Sequence, residues 1–306
     1  MCNTFPTISV IVTTYNRKEF LLETVKSILN QTVSDFELIV VDNFSDYDFF
    51  QEMNILNDDR IRAFQNNNDG IIARNRNFGI KKARGEFIAF CDDDDYWAKD
   101  KLIIQLSHFN TDVDLVGIGT NCKNIGDTEY YRKTKKINFD IKLGFEDLFR
   151  FGSVALSSLL IKNYGLLFDE SILFKYVEDF DFQVSLILSK GGKIKLLQDE
   201  LVSYRIHISG NGIINRDHNY LNVVEKYRTQ LSTNIYHNAY ARYFFSLGIK
   251  SLRFNDKSAN IYFYKSLKYY RYMRLKDISK AFIGLTISIL PNIIIKKILF
   301  IYYNVK

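Results

Sequence analysis

The chain's 306 residues are 47% hydrophobic with only two prolines, which excludes a disordered or linker-rich protein and leaves apolar material for a sizeable core. The formal charge is +6, yet residues 220–306 hold 15 Lys/Arg against 3 Asp/Glu, so an acidic front precedes a basic, aromatic tail. Three cysteines without metal-ligand spacing exclude a disulfide framework and a zinc site, and suit a reducing cytoplasm.

ISVIV at 8–12 is continuous and β-branched, the composition of a strand buried on both faces. It is too short for a signal peptide, and no basic segment precedes it. The polar turn TTYNR (13–17) follows. Residues 18–30 then place Phe20, Leu21, Val25, Ile28 and Leu29 on one helical face. FELIVV at 36–41 is a second buried strand and runs into DNFSD (42–46). A helix is expected over 47–57 and a short strand over 60–64. Asp69-Gly70 opens a helix to about Ala83, with Arg74 and Arg76 in its first turns and Gly85 beyond its end.

FIAFC at 87–91 reads as a further buried strand that stops at four consecutive carboxylates, Asp92 to Asp95, before Tyr96-Trp97. Like charges side by side repel unless something cationic sits among them. Oxygen-only ligands suit Mg2+ or Mn2+, the plain alternative being a solvated acidic loop. Beyond it, 113–119 and 157–161 read as strands, and 123–150 as an irregular, acceptor-side insertion. Residues 179–190 form an amphipathic helix, with Phe180, Val184, Ile187 and Leu188 buried and Gly191 after its end. Strand–helix alternation with short links predicts an α/β fold, a Rossmann-like, mostly parallel sheet flanked by helices. Three polar strand ends, at 13–17, 42–46 and 92–95, fall on one edge of such a sheet and make a ligand site.

From about Asn219 the pattern is helical, with a hairpin predicted from 236–253 and 258–272. This gives a catalytic domain over 1–215 and a helical C-terminal appendage over 216–306. Residues 281–303 are the most apolar, but Pro291 and Lys296-Lys297 divide them, and neither half reaches the roughly 20 residues that span a bilayer. Residues 293–303 suit a helix lying at a membrane surface or packed on the domain.

In order, TTYNR, VVDNFSD, RNFGIKKARGEF and CDDDDYW resemble the nucleotide-sugar-binding half of the family 2 glycosyltransferases, over roughly residues 6–210. VEDFDF (177–182) is similar to the family's acidic acceptor-side motif. LVSYRIHIS (201–209) is similar to its closing segment of tyrosine, arginine and histidine. The resemblance implies the GT-A fold and inverting, Mg2+- or Mn2+-dependent transfer from a nucleotide-sugar donor. The acceptor would be a glycan or lipid-linked saccharide in O-antigen or capsule synthesis. The setting would be cytoplasmic, with peripheral contact at the inner face of the plasma membrane through the C-terminal region and no nucleic acid partner.

The resemblance also implies roles. Asp92 would stand near ribose and metal, Asp94 on the metal, and His207 near the metal or diphosphate. Asp93 is the variable middle residue, kept among the donor-side candidates although solvation or capping explains it as well. Asp179 would be the general base. A helix start favours the ionised carboxylate a base needs, although position alone suggests a cap. Glu178 would touch the acceptor, and Ser185 stands where the family often has arginine. Thr13 and Tyr15 would border the nucleotide, Tyr15 stacking on the base. Asp42-Asn43 replaces a commoner aspartate pair, and Asn43 can still accept a base N–H. Arg76 and then Arg74 are the phosphate-side candidates, with Asn77 beside them and Arg205 neutralising phosphate charge. A nucleotidyltransferase would need a glycine-rich loop after the first strand, which TTYNR is not. A catalytically inactive scaffold or membrane-docking protein of this fold is the other alternative, and the intact Asp94 and Asp179 speak against it.

Overall fold

The structure is a computed structural model that describes residues 5–126, 136–206, 211–253, 256 and 258–290; for 211–218 and 253 it describes the backbone alone. His207 and the surface helix expected over 293–303 lie outside the described residues. The chain divides into two compact units, Met1–Gly210 and Asn211–Lys306.

The first unit runs β1 (Ile8–Thr14), α1 (Lys18–Leu29), β2 (Phe36–Asp42), α2 (Phe49–Ile55), β3 (Ile61–Gln65), α3 (Ile72–Lys82), β4 (Phe87–Asp92), β5 (Tyr96–Trp97), α4 (Lys101–Phe109), β6 (Leu115–Gly126), β7 (Ile141–Leu143), α5 (Phe145–Phe151), β8 (Leu160–Lys162), α6 (Glu178–Lys190) and β9 (Lys193–Ile206). The strands form one sheet in the order β3-β2-β1-β4-β8-β6-β9-β5, with β7 also pairing β9. β1 and β2 are buried along their whole length, as their unbroken apolar runs require between two layers of helices. α1 contributes Leu21, Val25 and Ile28 to the same core.

β1, β2, β3 and β4 pair in parallel. The other half is mixed. β8 is antiparallel to both β4 and β6, β6 is parallel to β9, and β5 and β7 are antiparallel to β9. The parallel alternation expected from the sequence therefore governs the front half of the sheet. The segment expected to be an irregular insertion contains the end of β6, β7 and the start of α5 among its described residues.

Register carries the functional consequence. Thr13 lies opposite Asp92, Thr14 opposite Asp42, and Asp42 opposite Gln65. The carboxyl ends of four parallel strands thus finish level, and their polar ends share one edge.

The second unit holds α7 (Asn211–Lys226), α8 (Thr233–Arg253), α9 (Ala259–Leu267) and α10 (Leu275–Ser288), beginning ahead of the helical start expected near Asn219. α8 and α9 form the antiparallel hairpin: the rings of Phe245 and Phe263 lie 5.8 Å apart, and Ser266 Oγ donates to the Ala241 carbonyl at 2.8 Å. Gly248 and Gly284 admit the buried Phe263 ring so closely that a Cβ at either would fall within 3 Å of it. Among the described residues no helix is long and apolar enough to cross a membrane.

Candidate active site

The site starts at the turn between β1 and α1. Asn16 takes a left-handed φ of 52°, held there from β2's trailing turn: its amide donates to Ser45 Oγ at 2.8 Å, and its Oδ1 accepts from the Asp46 amide at 2.8 Å. Ser45 is itself pinned, with its amide and hydroxyl donating to Asp42 at 2.9 and 2.5 Å. The turn so fixed sends Arg17 across the sheet edge to β4. There Nη1 stands 3.0 Å from Asp93 Oδ1 and 2.6 Å from Asp94 Oδ2. Thr14 Oγ1 donates to the other oxygen of Asp93 at 2.7 Å.

Two more arginines reach the acidic run. Arg76, buried on α3, places Nη2 3.0 Å from Asp92 Oδ1 and Nη1 3.0 Å from Glu178 Oε1. Arg205 on β9 donates its backbone N–H to Asp95 Oδ1 at 2.9 Å and its Nε–H to the Asp94 carbonyl at 3.0 Å. Its Nη2 reaches Glu23 at 2.9 Å, and its guanidinium lies over the Phe20 ring. The repulsion among four carboxylates is thus relieved from within the chain. Proton uptake relieves it further. Burial pushes Asp93 up to about 6 against the pull of Arg17 and Thr14. Burial, then the Asp92 charge, pushes Asp95 up to about 8 against Ser157 and the Arg205 amide.

The opposite wall is the start of α6. Its N-cap position, Val177, offers no side-chain cap, and Asp179 Oδ1 accepts the Phe180 N–H at 2.8 Å. Glu178 is buried with Oε2 making no hydrogen bond. Burial holds its carboxyl above the usual range, Arg76 opposing and Asp179 adding to the effect. Arg76 therefore ties the acidic run to the α6 wall. Tyr204 lies on β9 beside Arg205, and burial, then the charges of Asp92, Asp95, Asp94 and Asp179, hold its hydroxyl above the usual phenol range. Arg76 thus bridges Asp92, two positions before Asp94, and Glu178, the neighbour of Asp179.

The structure places the remaining candidates as follows. Thr13 is buried at the end of β1. Tyr15, just past the end of β1, is 54% exposed and open to stacking. Arg74 pairs with Asp69 and, at 3.7 Å, with Glu170. Five donor-side candidates hold partners within the chain. Asp42 is fully buried and accepts three hydrogen bonds, from Ser45 twice and from Gln65, and so shapes the turn. Asn43 Oδ1 already accepts the Asn68 amide at 2.8 Å and braces the loop before α3. Asn77 is buried and exchanges hydrogen bonds with the Phe168 backbone at 2.7 and 2.9 Å and with Glu170 at 2.8 Å. Arg76 and Arg205 are engaged with carboxylates and backbone, as above, and act on the site through Asp92, Asp94 and Asp95. The common physical reason is burial: a side chain taken out of water must satisfy its polar atoms locally.

Sequence reasoning gave no role to Arg17 or Ser157 and none in particular to Tyr204. Ser157 Oγ accepts the Asp92 N–H at 2.9 Å, and its carbonyl accepts from Trp97 Nε1 at 2.9 Å, so it fixes both ends of the acidic turn. Four adjacent carboxylates were the available signal: each needed a counter-charge or a proton, and Arg17 lies in the neighbouring motif.

A divalent ion fits the donor set in part. Asp92 and Asp94 offer only carboxylate oxygens, with side chains 32% and 11% exposed, and Arg17 already stands as a cation on Asp94. Among the described residues no group of three or more His, Cys, Asp or Glu gathers to hold a metal. Two carboxylates suit Mg2+ or Mn2+ where substrate phosphates complete the shell.

The family model described as "Glycosyl transferase family 2" matches residues 9–159. The UDP-Glc:alpha-D-GlcNAc-diphosphoundecaprenol beta-1,3-glucosyltransferase WfaP of Escherichia coli is 31% identical over 205 residues, covering 65% of this chain and 77% of WfaP. The putative teichuronic acid biosynthesis glycosyltransferase TuaG of Bacillus subtilis is 37% identical over 111 residues, 35% of this chain and 43% of TuaG. Among solved structures, S. aureus TarS 1-349 in complex with UDP superposes with a TM-score of 0.55 at 18% identity, over 87% of this chain and 89% of that one.

Proposed function

Because the chain belongs to glycosyl transferase family 2, we propose that this glycosyltransferase is inverting and metal-dependent, and moves a sugar from a nucleotide-diphosphate sugar to a glycan or lipid-linked saccharide during surface-polysaccharide synthesis. The observation that carries the reading is Arg76, which joins Asp92 of the acidic run to Glu178, the neighbour of Asp179, at 3.0 Å each. The lipid-diphosphate acceptor in WfaP's name and the teichuronic acid in TuaG's support the acceptor class. The UDP in the TarS complex supports the donor class.

Asp92 and Asp94 are the residues that would hold Mg2+ or Mn2+, which supplies Lewis-acid charge for the leaving diphosphate when bound. Tyr15 offers its exposed ring to the base. Asp179 takes the proton of the acceptor hydroxyl as that oxygen attacks the anomeric carbon and the bond to the diphosphate breaks on the opposite face. Glu178, with one oxygen on Arg76 and the other without a hydrogen bond, is the acceptor-side hydrogen-bond acceptor beside it. Arg76 and Arg205 hold these acids in place.

Assaying a panel of nucleotide sugars with saccharide acceptors, with and without Mn2+, tests the reading. Transfer from at least one donor in the presence of Mn2+ alone is expected. No release or transfer from any donor by folded protein contradicts it. For the second unit we propose peripheral contact with the cytoplasmic membrane face, suggested by the surplus of Lys and Arg over residues 220–306. Co-sedimentation with anionic but not neutral vesicles is expected, and equal behaviour with both would remove it.

A further inference from the structure

Arg17 is the least buried partner in the acidic run. Its side chain is 42% exposed, against 7% for Asp93 and 11% for Asp94, the carboxylates it contacts. The acids are fixed: Asp93 by Thr14, Asp94 through its carbonyl by Arg205, and the backbone of Asp92 by Ser157. The point where Arg17 leaves the chain is also fixed, by the Asn16–Ser45–Asp46 hydrogen bonds. What can move is the long side chain alone, from carboxylate to solvent. The shorter of its two contacts, 2.6 Å, falls on Asp94, the carboxylate assigned above to the metal. One carboxylate oxygen in contact with a guanidinium N–H has little room or charge left for a divalent ion.

We propose that Arg17 is an exchangeable internal cation: it neutralises Asp93 and Asp94 in the metal-free protein, competes directly with the divalent ion for Asp94, and swings out when that ion is loaded. This rests on the assignment of Asp94 as a metal ligand. It gives the chain a way to keep a four-acid turn folded without metal, and makes metal affinity depend on how easily one surface side chain is displaced. If the Arg17-out state is a minor fraction of the metal-free protein, the apparent affinity for the ion is lowered by that fraction.

The test is calorimetric titration of Mn2+, with UDP present to complete the shell, into the full-length wild type, Arg17→Met and Asp94→Asn at low salt, with thermal melts in parallel. Arg17→Met should bind Mn2+ about five- to tenfold more tightly than wild type. It should also melt lower than wild type without Mn2+, with the gap closing at saturating Mn2+. Asp94→Asn should bind at least about tenfold more weakly. Arg17→Gln provides a second variant with the same expected direction. Wild-type binding that is unchanged or weakened in both Arg17 variants overturns the exchange and leaves the metal site standing. Absence of Mn2+ binding in wild type, or its survival in Asp94→Asn, overturns the metal assignment and the exchange with it.

Discussion

At the scale of single residues, Arg76 decides more than any catalytic candidate. It is buried, lies 5.5 Å from the Phe168 ring, and supplies one N–H each to Asp92 and Glu178. Burial alone would lower its affinity for a proton, but the Asp92 and Glu178 charges outweigh that, so it stays charged. Removing it would leave the buried Glu178 carboxylate and the half-buried Asp92 carboxylate without their counter-charge. Arg76→Ala should therefore destabilise the protein by about 3–5 kcal/mol, read as a fall in the urea midpoint, whereas Arg76→Lys should recover part of it. A loss within about 0.5 kcal/mol for the alanine variant would show that the pairs are not holding the site. The motif around Arg76 was legible in the sequence, but its direction was not. An arginine early in a helix points to phosphate by composition; only the fold reveals that two acids, 16 and 102 positions away, meet it first. Asn77 is held in the same way, its amide donating to the Phe168 carbonyl and Glu170.

At the scale of elements, α4 carries an unusual burden beneath the acidic turn. Lys101, in its first turn, has no solvent exposure. Its Nζ donates to Gln105 Oε1 at 2.8 Å and lies 3.9 Å from the Trp97 ring, and Gln105 in turn donates to the carbonyls of Ile118 and Ser158. Burial pushes the Lys101 amine down to about 7, with Cys91 and Cys122 acting the other way. Below pH 7 the amine is charged in both folded and unfolded chains, and the folded state bears the full desolvation cost. Between about 7 and 10.5 the folded chain has released the proton while the unfolded chain keeps it, so stability rises with pH across that window. Relative to Lys101→Met, the wild type should gain roughly 3 kcal/mol between pH 7 and pH 10 in urea unfolding, and the variant should be the more stable at pH 6. A difference between the two that does not change with pH would contradict this. Strands β1 to β4 and helices α1 and α3 were readable because their apolar periodicity is strong and their links are short. β8 was displaced because the stretch 157–161 begins in a 3-10 turn, Leu156–Ser158, whose Ser157 serves the acidic turn. The antiparallel setting of β8, β5 and β7 has no local signature, since strand direction is set by partners far along the chain.

Across the whole molecule, the first unit joins two half-sheets of different character. The parallel half brings the ends of β1, β2 and β4 level and forms the acidic wall. The mixed half brings Arg205 of β9 onto Asp94 and Asp95, and Glu178 at the start of α6 onto Arg76, which also holds Asp92. The order of motifs along the chain pointed to such a meeting of strand ends, whereas the pairing of strands behind it was not legible. The second unit is an aromatic helical assembly around Phe263, in which Tyr236 and Tyr240 both donate to Glu225. The measurement that bears most directly on the convergence is a Mn2+-dependent UDP titration of Asp179→Asn run beside its transfer assay. The account predicts binding like that of wild type with transfer reduced at least about a hundredfold, since only the proton-accepting oxygen is changed. Transfer at the wild-type rate, or loss of Mn2+-dependent binding, would contradict it.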